Sequence, residues 1–206
     1  MIALFFEVLP APGHESTYFE MASGLKPALD ASGGLLFLDR SRSTQRPGWF
    51  LSHQFWRDEA SMTRWRVNAS HHRAQACGRS DVLADYRLRV AQVIASATAG
   101  SPIGYEPVPD AVAYNDPAAV AERYIVSILA KGALDVCGGE TFASIYDASL
   151  AVHVVPVASK DEGNKLLAHA AANARTLHAR LCLISRDYGM LERSEAPQYF
   201  GPARLA

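Results

Sequence analysis

Cysteine, net charge and long apolar runs are all scarce in this chain of 206 residues. Its three cysteines, Cys77, Cys137 and Cys182, share no close spacing. That excludes a disulfide framework and a C-x-x-C zinc site, and suits a reducing compartment. The formal net charge of −1 leaves no basic excess to displace counterions from phosphates, so a nucleic-acid surface is excluded. No apolar run approaches the roughly 20 residues that a membrane helix needs. The opening MIALFFEVLP is apolar but short, lacks a basic n-region and runs straight into Pro10, so it reads as a strand and not as a signal peptide. These absences predict a cytoplasmic protein without nucleic-acid or membrane partners.

What the chain does hold is periodic apolar sequence. Ile2–Leu9 is apolar on both alternating faces, as in a strand covered on each side. HESTYFEMASGLKPALDAS has helical spacing, with Pro27 inside it to kink or split the helix. LLFLDRSRS and Trp49–Trp56 follow as strands around the turn TQRPG. A helix then begins at Asp58-Glu59, where acidic groups favour the N-terminal dipole, and runs to about Ala76. Tyr86–Ile94 closes the series as a fourth strand. The order βαββαβ is the ferredoxin-like split unit.

Residues 96–119 hold four prolines and two glycines without a period and read as a linker. Beyond it, strand Ala121–Ala130, then GGETFASIYDAS, LAVHVVPVAS, the helical KDEGNKLLAHAAANARTL and ARLCLISRDYGM repeat the first half in worn form. KGALDVCGG stands where the first helix of the repeat belongs. The expected domains are therefore 1–95, a linker 96–119, and a degenerate copy with a C-terminal tail at 120–206. A lone four-stranded sheet of this type has one apolar face uncovered by helices, and such a surface is normally hidden by a partner sheet. Two arrangements meet that need: the tandem copy covers it within one chain, or the first halves of two chains pair as a homodimer. The tandem form is the one expected here: an α+β protein of two ferredoxin-like units closing an intramolecular αβ-barrel.

Phe55–Arg79, FWRDEASMTRWRVNASHHRAQACGR, puts two tryptophans, two adjacent histidines and five arginines into one stretch. With MIALFFEV before it and DYRLRVAQV after it, this stretch resembles the antibiotic biosynthesis monooxygenase family of dimeric αβ-barrel proteins. The resemblance covers about residues 1–95. SRDYGMLERSEAP, Ser185–Pro197, is similar to the tail that follows the fourth strand in one bacterial branch, but here it follows the second copy. The resemblance implies the ferredoxin-like fold. It also implies one of several activities, oxygenation of polycyclic phenols without metal or flavin or haem binding or degradation, in a family many of whose members have no known activity.

Cofactor-free oxygenation needs a base to make a carbanion that reduces O₂, donors for the developing oxyanion, and a dry pocket. Histidine suits the base. On a single unbroken helix His72 shares a face with Met62, Trp65, Ala69 and Ala76, whereas His71 falls with Arg64, Asn68 and Gln75. The family's usual histidine column matches His71, and a break near Asn68-Ala69-Ser70 would shift the phase. Both histidines stay as candidates. Trp56 and Trp65 are candidate pocket walls, with plain core packing as the alternative. Arg64 and Arg87 are candidate anion-binding groups, with a solvated face for Arg64 and a structural pairing to Asp39 and Glu7 for the strand arginines as alternatives. His53, among large apolar neighbours, is either a cavity residue or a satisfied core histidine.

Haem would need a proximal histidine with a nearby tryptophan and a roomy apolar cleft; the Trp65–His71 spacing is short for the haem-degrading relatives. No metal site is expected, because His71 and His72 diverge on a helix without a carboxylate at a chelating offset. The function expected is a monooxygenase without a cofactor, acting with O₂ on a small aromatic or polycyclic phenol. The alternatives are a non-catalytic binder of small molecules and a haem-binding or haem-degrading oxygenase. The second half is expected to close the barrel and to add nothing to the pocket.

Overall fold

The structure is a computed structural model that describes residues 1–107, 123–197 and 200–201. The first half runs β1 (Ile2–Pro10), α1 (Glu15–Gly24), α2 (Lys26–Ser32), β2 (Leu35–Ser43), β3 (Phe50–Trp56), α3 (Glu59–Arg66), α4 (Ala69–Cys77) and β4 (Leu83–Ala97), with a π-turn at Gly78–Val82. The second runs β5 (Gly104–Tyr105), β6 (Tyr124–Lys131), β7 (Glu140–Ser144), β8 (Leu150–Val157), α5 (Lys160–Ala171) and β9 (Thr176–Gly189). Part of the expected linker, 108–119, lies outside the described residues, as do the last five residues of the tail. No helix among the described residues is long and apolar enough to cross a membrane.

Two expected helices are each a pair. Pro27 falls in the first turn of α2, where its missing N–H costs nothing, so the chain restarts a helix there instead of kinking one. The helix after β3 breaks at Val67-Asn68, where the Asn68 side chain caps α4 by accepting from the N–H groups of Ser70 and His71. Gly34, at φ +83°, lets β2 start directly beneath α3, since a Cβ there would come within 2.4 Å of Ser61.

The strands lie in the order β1-β3-β2-β7-β8-β6-β9-β4, and β4 pairs back with β1 to close the ring. Both junctions between the halves, β2–β7 and β4–β9, are antiparallel and lie within the chain. The barrel is therefore intramolecular, and pairing of first halves between two chains is not needed to cover the sheet. β4 outruns its expected span because its far end pairs with β9 and β5.

The barrel interior takes alternate residues: Ala3, Phe5, Leu51, Phe55, Ala91 and Val93 meet Ile125, Phe142, Val152 and Val154 from the other half. Two charged groups, Glu7 and Arg89, are buried and paired there. Glu7 accepts from Arg46 and Arg89, and Arg46 also reaches Glu140. The opposite face of each sheet carries the helices.

Candidate functional site

A cavity of about 220 Å³ lies between the outer face of the first sheet and helices α1–α4. β1 and β3 present Leu4, Phe6, Ser52 and Gln54 to it, while α3 and α4 supply Met62, Trp65, His71 and Gln75. The break at Asn68 brings His71 back over Trp65. The two rings stack at 4.3 Å between centroids and 12° between planes. The His71 Nδ1–H donates to the Trp65 carbonyl at 3.0 Å, which assigns the lone pair to Nε2. Burial drives the His71 pKa down to about 4; the bond to the Trp65 carbonyl opposes that shift and the neighbouring His72 adds to it. His71 is thus neutral at pH 7. The cap settles the choice between the two histidines, since His72 does not line the cavity and instead stacks on Phe200 at 5.2 Å.

Trp56 is not a wall of the cavity. It is fully buried beside it, in the cluster with Leu29, Met62 and Trp65. Its indole N–H donates to Gln54 Oε1 at 2.9 Å, and Gln54 Nε2 donates to Ser52 Oγ at 3.1 Å. This chain fixes the Gln54 amide so that its N–H₂ edge serves the cavity side of the sheet. Strand alternation puts Ser52, Gln54 and Trp56 on one face of β3, so the sequence carries a signal for Gln54 and Ser52 as well as for Trp56.

Three other candidates lie elsewhere. His53 points into the barrel, stacked on Phe5 at 4.9 Å with Phe55 and Phe37 at its edges. Neither of its nitrogens meets a hydrogen-bond partner among the described residues, and burial pushes its pKa down to about 3. Arg64 is exposed and donates to Ser61 Oγ at 3.0 Å. Arg87 is exposed and makes two bonds to Asp187, 2.9 and 2.6 Å. Among the described residues no group of three or more His, Cys, Asp or Glu side chains could hold a metal ion.

The expectation that the second half adds nothing is corrected. β9 contributes Arg186 and Tyr188 to the cavity, and the segment after it contributes Arg193, Pro197 and Phe200. The cause is the β4–β9 junction, which sets Arg186 opposite Val90 and Tyr188 opposite Leu88. Arg186 is buried and donates to Glu59 at 2.5 Å, tying β9 to the start of α3. No local sequence pattern could have revealed that adjacency.

Residues 1–76 match the family model for antibiotic biosynthesis monooxygenase. Over 220 aligned residues the chain is 36% identical to a jasmonate monooxygenase ABM of Pyricularia oryzae, covering 98% of this chain and all of that one. Among solved structures, a putative antibiotic biosynthesis monooxygenase of Deinococcus radiodurans is 16% identical, with TM-score 0.42, over 52% of this chain and 100% of its own. A putative monooxygenase of Fusobacterium nucleatum is 7% identical, with TM-score 0.43, over 90% of this chain and 93% of its own. The full-length likeness to the Pyricularia protein spans both halves of the barrel, and the chain belongs to the antibiotic biosynthesis monooxygenase family.

Proposed function

We propose that the chain is a monooxygenase that uses O₂ without a bound cofactor, on a small and largely apolar substrate held in the cavity beneath α3 and α4. The observation that carries this reading is the neutral His71, oriented by the Trp65 carbonyl, facing the same cavity as the Gln54 amide and the Ser52 hydroxyl. Together they supply a base and oxyanion donors in a mostly apolar enclosure.

A substrate with an acidified methylene, flanked by a ring or a carbonyl, fits the chemistry. His71 Nε2 takes one methylene proton, and the electron pair stays on carbon as a carbanion whose charge spreads to an oxygen held by Gln54 and Ser52. One electron passes to O₂, and the radical pair combines into a C–O bond as a peroxide, which takes the proton back from His71. Loss of the second methylene proton breaks the O–O bond and leaves a ketone and water. All electrons come from the two C–H bonds, so no outside reductant is needed. The low pKa of His71 suits the return step, because its conjugate acid gives up the proton readily.

The phenols expected from sequence and an enolisable cyclic ketone both meet this requirement. The Pyricularia relative's name makes jasmonate the first compound to assay. A tetrapyrrole fits less well: the cavity lies below the range of about 300–1,000 Å³ common for larger ligands, and no step is assigned to haem. The test is incubation with isotope-labelled O₂, jasmonate and anthrone-type phenols, in the presence of chelator. One labelled oxygen atom in the product, undiminished by chelation, supports the reading. Ligand-induced stabilisation without oxygen uptake would make the chain a binder only.

A further inference from the structure

Among the described residues five arginines and no carboxylate line the cavity: Arg40, Arg66, Arg79, Arg186 and Arg193. Two of them meet at one point. The Tyr86 hydroxyl accepts from Arg79 Nη1 and, at 2.6 Å, from Arg193 Nη1. Their remaining partners are backbone carbonyls: Gly201 for Arg79, and Phe200 and Gly189 for Arg193. Among the described residues neither makes an ion pair, whereas Arg46, Arg87, Arg89, Arg123 and Arg186 all do.

Each guanidinium has five N–H donors in a planar fork. Three are committed on Arg193 and two on Arg79, so Nη2 of Arg193 and Nε of Arg79 carry none of these bonds. Tyr86, Tyr188 and Phe200 flank the pair, with each guanidinium set over an aromatic face. Two like charges drawn to one neutral oxygen, half-buried and without a counter-ion among the described residues, repel each other. An anion placed between them relieves that repulsion and takes the open donors.

We propose that Arg79 and Arg193 form a carboxylate-binding site, so that the substrate of this cavity is a small apolar monocarboxylic acid. The inference rests on the cavity being the substrate site. The fork geometry of guanidinium matches a carboxylate, and the rest of the lining, Leu4, Phe6, Met21 and Leu88 among it, suits an apolar body behind one charged end. The site also gives the second half its part in recognition. Arg79 comes from the turn after α4, and Arg193 from the segment after β9. An acid bound there would raise the His71 pKa from its low value and strengthen the base on binding.

The test is anaerobic titration, followed by Trp fluorescence, of cyclic and straight-chain monocarboxylic acids, each beside its methyl ester, with jasmonate and methyl jasmonate included. The wild type is expected to bind at least one acid about tenfold or more tightly than its ester, the strength of a charge-assisted pair. Arg79→Gln and Arg193→Gln are each expected to remove that preference and leave ester affinity within about twofold, while Arg79→Lys retains part of it. Thermal melting checks that the variants are folded. No acid preferred over its ester, binding of neither included, overturns the proposal. So does a parallel loss of acid and ester binding in a folded variant, which marks the arginines as tail anchors only. Tight acid binding without oxygen uptake in air would sink the catalytic reading alone. Oxygen uptake with equal use of acid and ester would sink this one alone.

Discussion

The outer faces of the two half-barrels are built from the same order of strands and finished in opposite ways. Over the first, two helix pairs stand off the sheet, propped by Met62 and Trp65, and leave a cavity. Over the second, α5 lies directly on it. The position four residues after the helix-capping residue is Met62 after Asp58 in α3, and Gly163 after Ser159 in α5. A Cβ at Gly163 would come within 2.4 Å of Leu181, so glycine is what permits that close approach. The nine residues KGALDVCGG replace α1 and α2, and Leu134 from this loop is buried in the same cluster as Leu167 and Ala170. Where one half holds His71 over a cavity, the other holds His153 between the Leu134 N–H, 3.0 Å away, and Thr141 Oγ1. A cavity exists where the helices are kept apart, and where α5 lies on the sheet the space is filled by a close-packed core.

That contrast can be broken in order of expected effect. His71→Phe keeps an aromatic ring against Trp65 and removes the base, so turnover should fall by about 10²–10⁴-fold in the oxygen-uptake assay. His153→Ala should leave turnover unchanged and lower stability by about 1–3 kcal/mol in urea unfolding, because the buried Leu134 N–H loses its acceptor. Equal kinetic effects of the two would erase the distinction between the halves.

Stability should depend on pH through His53 and His71. Both have folded-state pKa values below the ordinary 6.5, about 3 and about 4, so the unfolded chain binds more protons between those values and 6.5. Their contribution is complete above pH 6.5. It is lost as pH falls, ending near 4 for His71 and near 3 for His53, and each is worth on the order of 3–5 kcal/mol. His53→Phe should remove part of that slope without weakening the protein at pH 7. An unchanged slope would contradict the buried, unpartnered placement of His53. For an uncharged substrate, an ester or an anthrone-type phenol, kcat/KM should hold down to about pH 5 and fall with an apparent pKa near 4, where a solvated histidine would give about 6.5.

Gly163→Ala should destabilise by about 1–2 kcal/mol, since overpacking against Leu181 outweighs the gain in helix propensity. Asn68→Ala should cost about 1 kcal/mol in stability and more in turnover, because the cap that starts α4 also sets the phase of His71. Arg64→Ala should change neither stability nor turnover beyond about 0.5 kcal/mol, as befits an exposed side chain outside the cavity.

Local chemistry made much of the fold legible. Pro27, the Gly33-Gly34 pair that ends α2 and the alternating strands each act within a few residues of themselves, so the elements and the worn repeat could be read from the chain. His71 and His72 could not be separated until the Asn68 cap was seen, since an unbroken helix and a capped break put opposite residues inward. The role of Gln54 is less legible, because it depends on the Trp56 indole two residues along the strand. Arg79 and Arg193 lie 114 positions apart and meet only because β9 pairs with β4, a junction between halves that no local pattern records.

The most direct test of a single site, over the first sheet, is a crystal structure with jasmonate, or the tightest-binding acid found, soaked or co-crystallised. The ligand is expected beneath α4, its apolar body against Leu4 and Phe6 and its reactive carbon beside His71 Nε2. Density inside the barrel around His53, or under α5 near His153, would contradict the account.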